Sequence, residues 1–192
     1  MKHSESTSRT RQSFAASLKK LASIQPLSKV TVSALFDDTG FNRNTFYYHF
    51  RDIYDLLHWT LEQEVFVVVE QLDLLSDFEE AINFSLDYIN ENAAFFSHIS
   101  HSLGREALKD FFHADIDHVV TKIVDDTIQQ ERVQVADSYR DFLIRFYADA
   151  IAGVLLDWID AQGCGDRATI IAYLSVTLRA AVVGALHAGA IN

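Results

Sequence analysis

Apolar side chains recur at three- and four-residue intervals along most of this 192-residue chain, the period of helices with one buried face. Phe14, Leu18, Leu21 and Ala22 predict a first helix over about 6–24, with Arg11, Lys19 and Lys20 largely off its apolar stripe. The single proline, Pro26, ends it, because the residue before a proline is pushed out of α geometry. Thr31 is placed to cap a short helix carrying Ala34, Leu35 and Phe36, which stops at Thr39-Gly40 where glycine takes the left-handed conformation. Asn42 caps a second short helix running to Tyr48 or His49, and Asp52 opens a long fourth helix to about Leu72. Five more amphipathic helices follow, near 76–91, 93–101, 104–130, 137–161 and 166–188. The pattern predicts an all-α protein of about nine helices, with a head at 1–52 and a helical body at 53–192.

Two short helices joined by a glycine-containing turn and packed on a longer one form a helix-turn-helix. Leu35, Phe36, Phe41 and Phe46 supply one small core between them, which leaves Arg43, Asn44, Tyr47 and Tyr48 facing outward. Those residue types suit duplex DNA: arginine bonds guanine edges bidentately, asparagine bonds adenine, and tyrosine and threonine hydroxyls reach phosphates. The helix N-terminus at Thr31 adds backbone N–H groups for a phosphate. Arg43 and Asn44 are the first candidates for reading bases, because a polar pair early in a short helix has little structural work to do. For Tyr47 and His49 the alternative role is packing beneath the first helix.

The run Val30–Phe50, and above all Thr45-Phe46-Tyr47-Tyr48-His49-Phe50 followed by Asp52 and Leu56-Leu57, resembles the DNA-binding domain of the TetR family of transcriptional regulators. The motif similarity spans about residues 10–58, and Phe146–Trp158, with its central Gly153, is similar to a body helix of one subgroup. The resemblance implies a ligand-sensing and dimerisation body, a palindromic double-stranded operator, and a small-molecule effector whose binding releases a repressor. It assigns DNA contacts to Lys29, Thr31, Asn42, Arg43, Asn44, Thr45, Tyr47, Tyr48, His49 and Arg51. Two positions depart from the family pattern. Ile53 stands where a phosphate-touching lysine is usual, which moves that contact to Arg51 or to backbone amides, and Phe36 replaces a small residue.

Charge sharpens the picture. The net charge of −11 hides a head (1–52) with eight basic and four acidic residues, net +4, on a body with eight basic and 23 acidic residues, net −15. The polar N-terminus and the short apolar runs, such as Val65–Val69 and Ile151–Leu156, predict a cytoplasmic protein with no signal peptide and no membrane span. Cys164 is alone, so no intrachain disulfide forms. No phosphate loop, nucleophile elbow or His-Glu-x-x-His motif is present, so neither an enzyme nor a cofactor is expected. The pairs His113–Asp117 and His98–His101 have ligand-like spacing but lack further ligands, and no metal is expected.

In the body, the helices near 137–161 and 166–188 are apolar on most sides, and burial of both favours a four-helix interface across a two-fold axis. Phe146, Ile151, Val154, Leu155, Trp158, Leu174, Leu178, Ala181 and Val182 are the interface candidates, with small residues such as Gly153 and Gly184 allowing close approach. A ligand pocket would draw on Trp59, Phe66, Phe96 and Phe112, with Phe84, Phe95, His98, Phe111 and Phe146 as further walls, although an aromatic stripe serves a filled core equally well. The acidic body and Ile53 also fit a second reading, a co-regulator that acts through a protein partner without reading an operator itself.

Overall fold

A computed structural model describes residues 2–74 and 76–191, with side chains from residue 7 onward. Lys2 and Glu5 of the head's charge tally lie outside the described side chains. The described residues form helices without a strand: α1 (Lys2–Ala22), α2 (Val32–Thr39), α3 (Arg43–His49), α4 (Ile53–Leu61), α5 (Val67–Glu70), α6 (Phe78–Glu91), α7 (Ala93–Leu103), α8 (Arg105–Glu131), α9 (Asp137–Asp160) and α10 (Arg167–Ala188). A π-helical turn over Glu62–Phe66 joins α4 to α5, so the two run as one rod over 53–70. The architecture is an N-terminal helix-turn-helix head and a C-terminal helical bundle.

The local chemistry that sets the helix ends is visible. Thr31 accepts a hydrogen bond from the Ala34 amide at 3.2 Å, Asn42 from the Thr45 amide at 3.0 Å, and Asp52 from the Asp55 amide at 2.8 Å. Gly40 closes α2 with φ +74°, a conformation that costs other residues about 1 kcal/mol or more. The first helix begins earlier than the apolar stripe indicates, at Lys2, and ends at Ala22. Ile24, in the turn that follows, is 74% exposed.

The head has an aromatic core. Phe14 of α1 and Phe46 of α3 are fully buried, with ring centroids 5.3 Å apart and nearly perpendicular planes, the edge-to-face geometry that aromatic quadrupoles favour. Phe41, Phe36 and Phe50 close around them. In the body, α8 and α9 lie antiparallel: Arg105 reaches Asp157 and Asp160, Lys109 meets Asp149 at 2.8 Å, and Arg140 grips Asp125 through two bonds of 2.6 and 2.7 Å. These pairs are largely solvent-exposed and contribute little each; burial of Leu108, Ile116, Val120, Val124, Leu143 and Leu156 holds the helices together.

Candidate nucleic-acid interface

The surface of α3 is built on Phe46. Its burial against Phe14 fixes the rotation of α3, and that rotation sends Arg43, Asn44, Tyr47 and Tyr48 to solvent. Tyr48 is 74% exposed and Tyr47 48%, large values for aromatic rings. The Arg43 guanidinium lies 5.4 Å from the Tyr47 ring centroid, which pre-orders its direction by a cation–π contact. Asn42 is committed to capping, since its Oδ1 also accepts from the Thr45 hydroxyl at 3.1 Å. Thr31 is committed in the same way at the start of α2. Lys29 is exposed on the turn before α2. Arg51 is exposed at the start of α4, where its backbone amide and guanidinium hold Asp55 at 2.9 and 3.3 Å. These bonds keep the Asp55 carboxyl below its ordinary range.

His49 is half-buried, and burial together with the neighbouring Arg11 charge pulls its imidazole below the ordinary value, so it is neutral at neutral pH. Arg11 was not a candidate from sequence. Its guanidinium lies 5.9 Å from Phe50 and 5.8 Å from Trp59, wedged between α1 and α4, and its Nε is buried without a hydrogen-bond partner. Nothing in local spacing signals this, because the contact joins residues some forty positions apart.

Hydrogen bonds and an ion pair tie the head to the body. His98 of α7 donates from Nδ1 to the Ala22 carbonyl at 2.8 Å, and the Ser28 amide donates to Ser102 Oγ at 3.3 Å. Lys19 of α1 reaches Glu64 in the π turn at 2.5 Å, and Glu64 in turn accepts from the Tyr88 hydroxyl of α6 at 2.7 Å. Burial and the Glu64 charge push the Tyr88 phenol well above its ordinary value, so it remains a donor.

Within the body, the π turn, α6, α7, α8 and α9 surround a cavity of about 90 Å³. Phe66, Phe96 and Phe112 are in its wall. Trp59 is not among the wall residues; it packs on Phe50 and Arg11 at the head junction, with ring centroids 5.8 Å apart in the Phe50 contact. Of the further candidates, Phe95 is fully buried and His98 bonds the head.

The interface candidates separate into two groups. Ile151, Trp158, Leu178 and Val182 are buried inside the subunit, because α9 and α10 turn that side toward the rest of the bundle. Trp158 donates from its indole to Asn90 at 2.8 Å. Val154, Leu155, Leu174 and Ala181 are partly buried. Phe146 is 56% exposed, and Phe142 on α9 and Tyr173 and Val176 on α10 are also exposed, the last two at 70%. α10 is also long and apolar enough, by length and composition, to cross a membrane, although little of its apolar stretch is buried. Among the described residues no three His, Cys, Asp or Glu side chains gather as metal ligands.

A family model described as the C-terminal region of TetR-type transcriptional regulators matches residues 76–179. The chain belongs to the TetR family of transcriptional regulators. It is 21% identical over 145 residues to the protein described as HTH-type dhaKLM operon transcriptional activator DhaS from Lactococcus lactis, covering 76% of each chain. The solved structure of a dihydroxyacetone kinase operon activator DhaS superposes with a TM-score of 0.64 at 18% identity, covering 95% of this chain and 98% of that one. At that identity the superposition speaks for the fold.

Proposed function

We propose that this TetR-family regulator is a cytoplasmic homodimer that reads a palindromic operator through α3 and represses transcription until an effector binds the body. The observation that carries the reading is the α3 surface. A capped, aromatic-backed helix presents Arg43, Asn44, Tyr47 and Tyr48 together, with the Arg43 direction pre-ordered by Tyr47. Such a surface has hydrogen-bonding groups for both base edges and phosphates. Arg51 and Lys29 flank it as phosphate contacts, and Arg51 takes the role that Ile53 cannot. The head, 1–52, is the reading unit, and the body, 53–192, is the sensing and pairing unit.

The exposed apolar positions of α9 and α10 support the homodimer. Tyr139, Phe142 and Phe146 form a stacked ladder with centroids 6.3 and 6.0 Å apart, and Tyr173 and Val176 extend the apolar surface on α10. Exposed apolar side chains of this kind on two long helices mark an interaction surface. A second copy about a two-fold axis covers it with itself and sets two heads at half-sites one helical turn apart.

A second reading, activation, is favoured by the relative described as a transcriptional activator. The two are separated by a promoter reporter in cells lacking the gene: repression raises expression on deletion, and activation lowers it. Operator binding itself is tested by fluorescence anisotropy on the upstream DNA. The proposal expects a salt-sensitive, sequence-selective complex of one dimer per site. A shift of equal strength on every fragment would refute it.

A further inference from the structure

Among the described residues, each polar side chain in the cavity wall has a protein partner. The Tyr88 hydroxyl donates to Glu64, Ser85 Oγ donates to the Ala81 carbonyl at 2.9 Å, and Lys109 is paired with Asp149 at 2.8 Å. The rest of the wall is apolar, including Leu61, Phe66, Phe112, Ile116 and Ile151. A charged or heavily hydroxylated guest would therefore lose its hydration without replacement, at a cost of several kcal/mol. An apolar guest meets no such penalty. At about 90 Å³ the space is smaller than the roughly 150 Å³ apolar cavity that admits benzene, so a guest of that size has to displace the wall.

One part of the wall departs from regular α-helix. Val65 and Phe66 belong to the π turn, where the Val67 amide bonds the Glu62 carbonyl five residues back and one extra residue is held in the helix. Such turns are rare and occur frequently at functional sites. The same turn carries Glu64, whose carboxylate holds Lys19 of α1 and Tyr88, itself a wall residue. The Lys19 ammonium also lies 4.9 Å from the Tyr88 ring centroid. The next residue along α1, Lys20, is paired with Asp38 of α2, so α1 is tied to the body through Lys19 and to the helix-turn-helix through Lys20.

We propose that the cavity binds a small, uncharged, hydrocarbon-like molecule, and that its occupation is transmitted to the head when the π turn and Tyr88 shift and release Lys19 from Glu64. The binding stands on the cavity alone; its regulatory consequence rests on the operator reading given above.

The test uses the full chain with benzene as probe. Methyl NMR should show saturable shifts at Ile116 and Ile151, with a concentration-dependent rise in the unfolding midpoint. Benzene should also weaken operator binding about fivefold or more. Lys19→Met should keep the methyl shifts but reduce the operator response below about twofold, and Lys19→Arg should restore it. No methyl shift, or tighter binding of benzoate than of benzene, overturns the assignment of ligand class. Methyl shifts with an unchanged operator affinity, or a Lys19→Met response equal to wild type, overturn the transmission route. A benzene-induced methyl shift in a protein that binds no DNA fragment supports the cavity assignment and overturns the operator reading together with the transmission that rests on it.

Discussion

Replacing Phe46 with alanine removes the side chain that orients the whole reading surface. Phe46 is fully buried and touches Phe14 and Tyr47 at 5.3 Å, Phe50 at 5.7 Å and Phe36 at 6.3 Å between centroids. Phenylalanine-to-alanine changes in such sites cost about 3–5 kcal/mol, through lost transfer energy and the cavity left behind. The damage should stay local. Helix α3 has seven residues, too few to persist without its packing, whereas the body has its own core around Leu108, Val124 and Leu156. Hydrogen exchange read by mass spectrometry should show protection over 32–50 falling by about 100-fold or more, since each 1.36 kcal/mol is tenfold. Peptides from α8 and α9 should keep their protection, and operator affinity should vanish. Loss of protection below tenfold in the head, or equal loss throughout α8 and α9, would show that the head core does not support α3 as described.

Further outcomes follow from the same contacts. Asn42→Ala removes the cap of α3 and should lower stability by about 1 kcal/mol in urea denaturation, with a larger proportional loss of operator affinity. His49 is held below its ordinary 6.5, so the unfolded chain binds its proton more readily than the folded one. Its contribution to stability is therefore full above about pH 6.5 and declines as the pH falls toward the folded value; His49→Asn should flatten that slope in pH-dependent denaturation. Phe146→Glu combined with Val176→Glu places charge on the exposed apolar positions of α9 and α10; if the proposed homodimer forms there, the variant should sediment as a monomer where the wild type sediments as a dimer, with helicity retained.

The head was legible in the sequence because its signals are local. Thr31, Asn42 and Asp52 each act through a bond to an amide three residues on, and Gly40 acts through its own backbone, so spacing alone locates the starts of α2, α3 and α4 and the end of α2. The body was legible as helices but not as faces. A helix apolar on most sides, such as α9, satisfies the helical period whichever side meets the core, so Ile151 and Trp158 could not be told from Phe142 and Phe146 until their neighbours were placed. Trp59 lies three residues before a helical irregularity that has no sequence signature, and it belongs to the head junction with Arg11. The Lys19–Glu64–Tyr88 link joins three helical segments across 24 and 45 positions, beyond any periodicity.

The central claim is that α3 reads bases through Arg43 and Asn44. Its most direct test is anisotropy titration of wild type, Arg43→Ala and Asn44→Ala against the selected operator and against single-base variants of each half-site, at two salt concentrations. Each substitution should cost about 1–3 kcal/mol on the operator and should abolish discrimination at one base position, with thermal unfolding unchanged. Uniform weakening on every sequence, or unaltered discrimination in both variants, would contradict it.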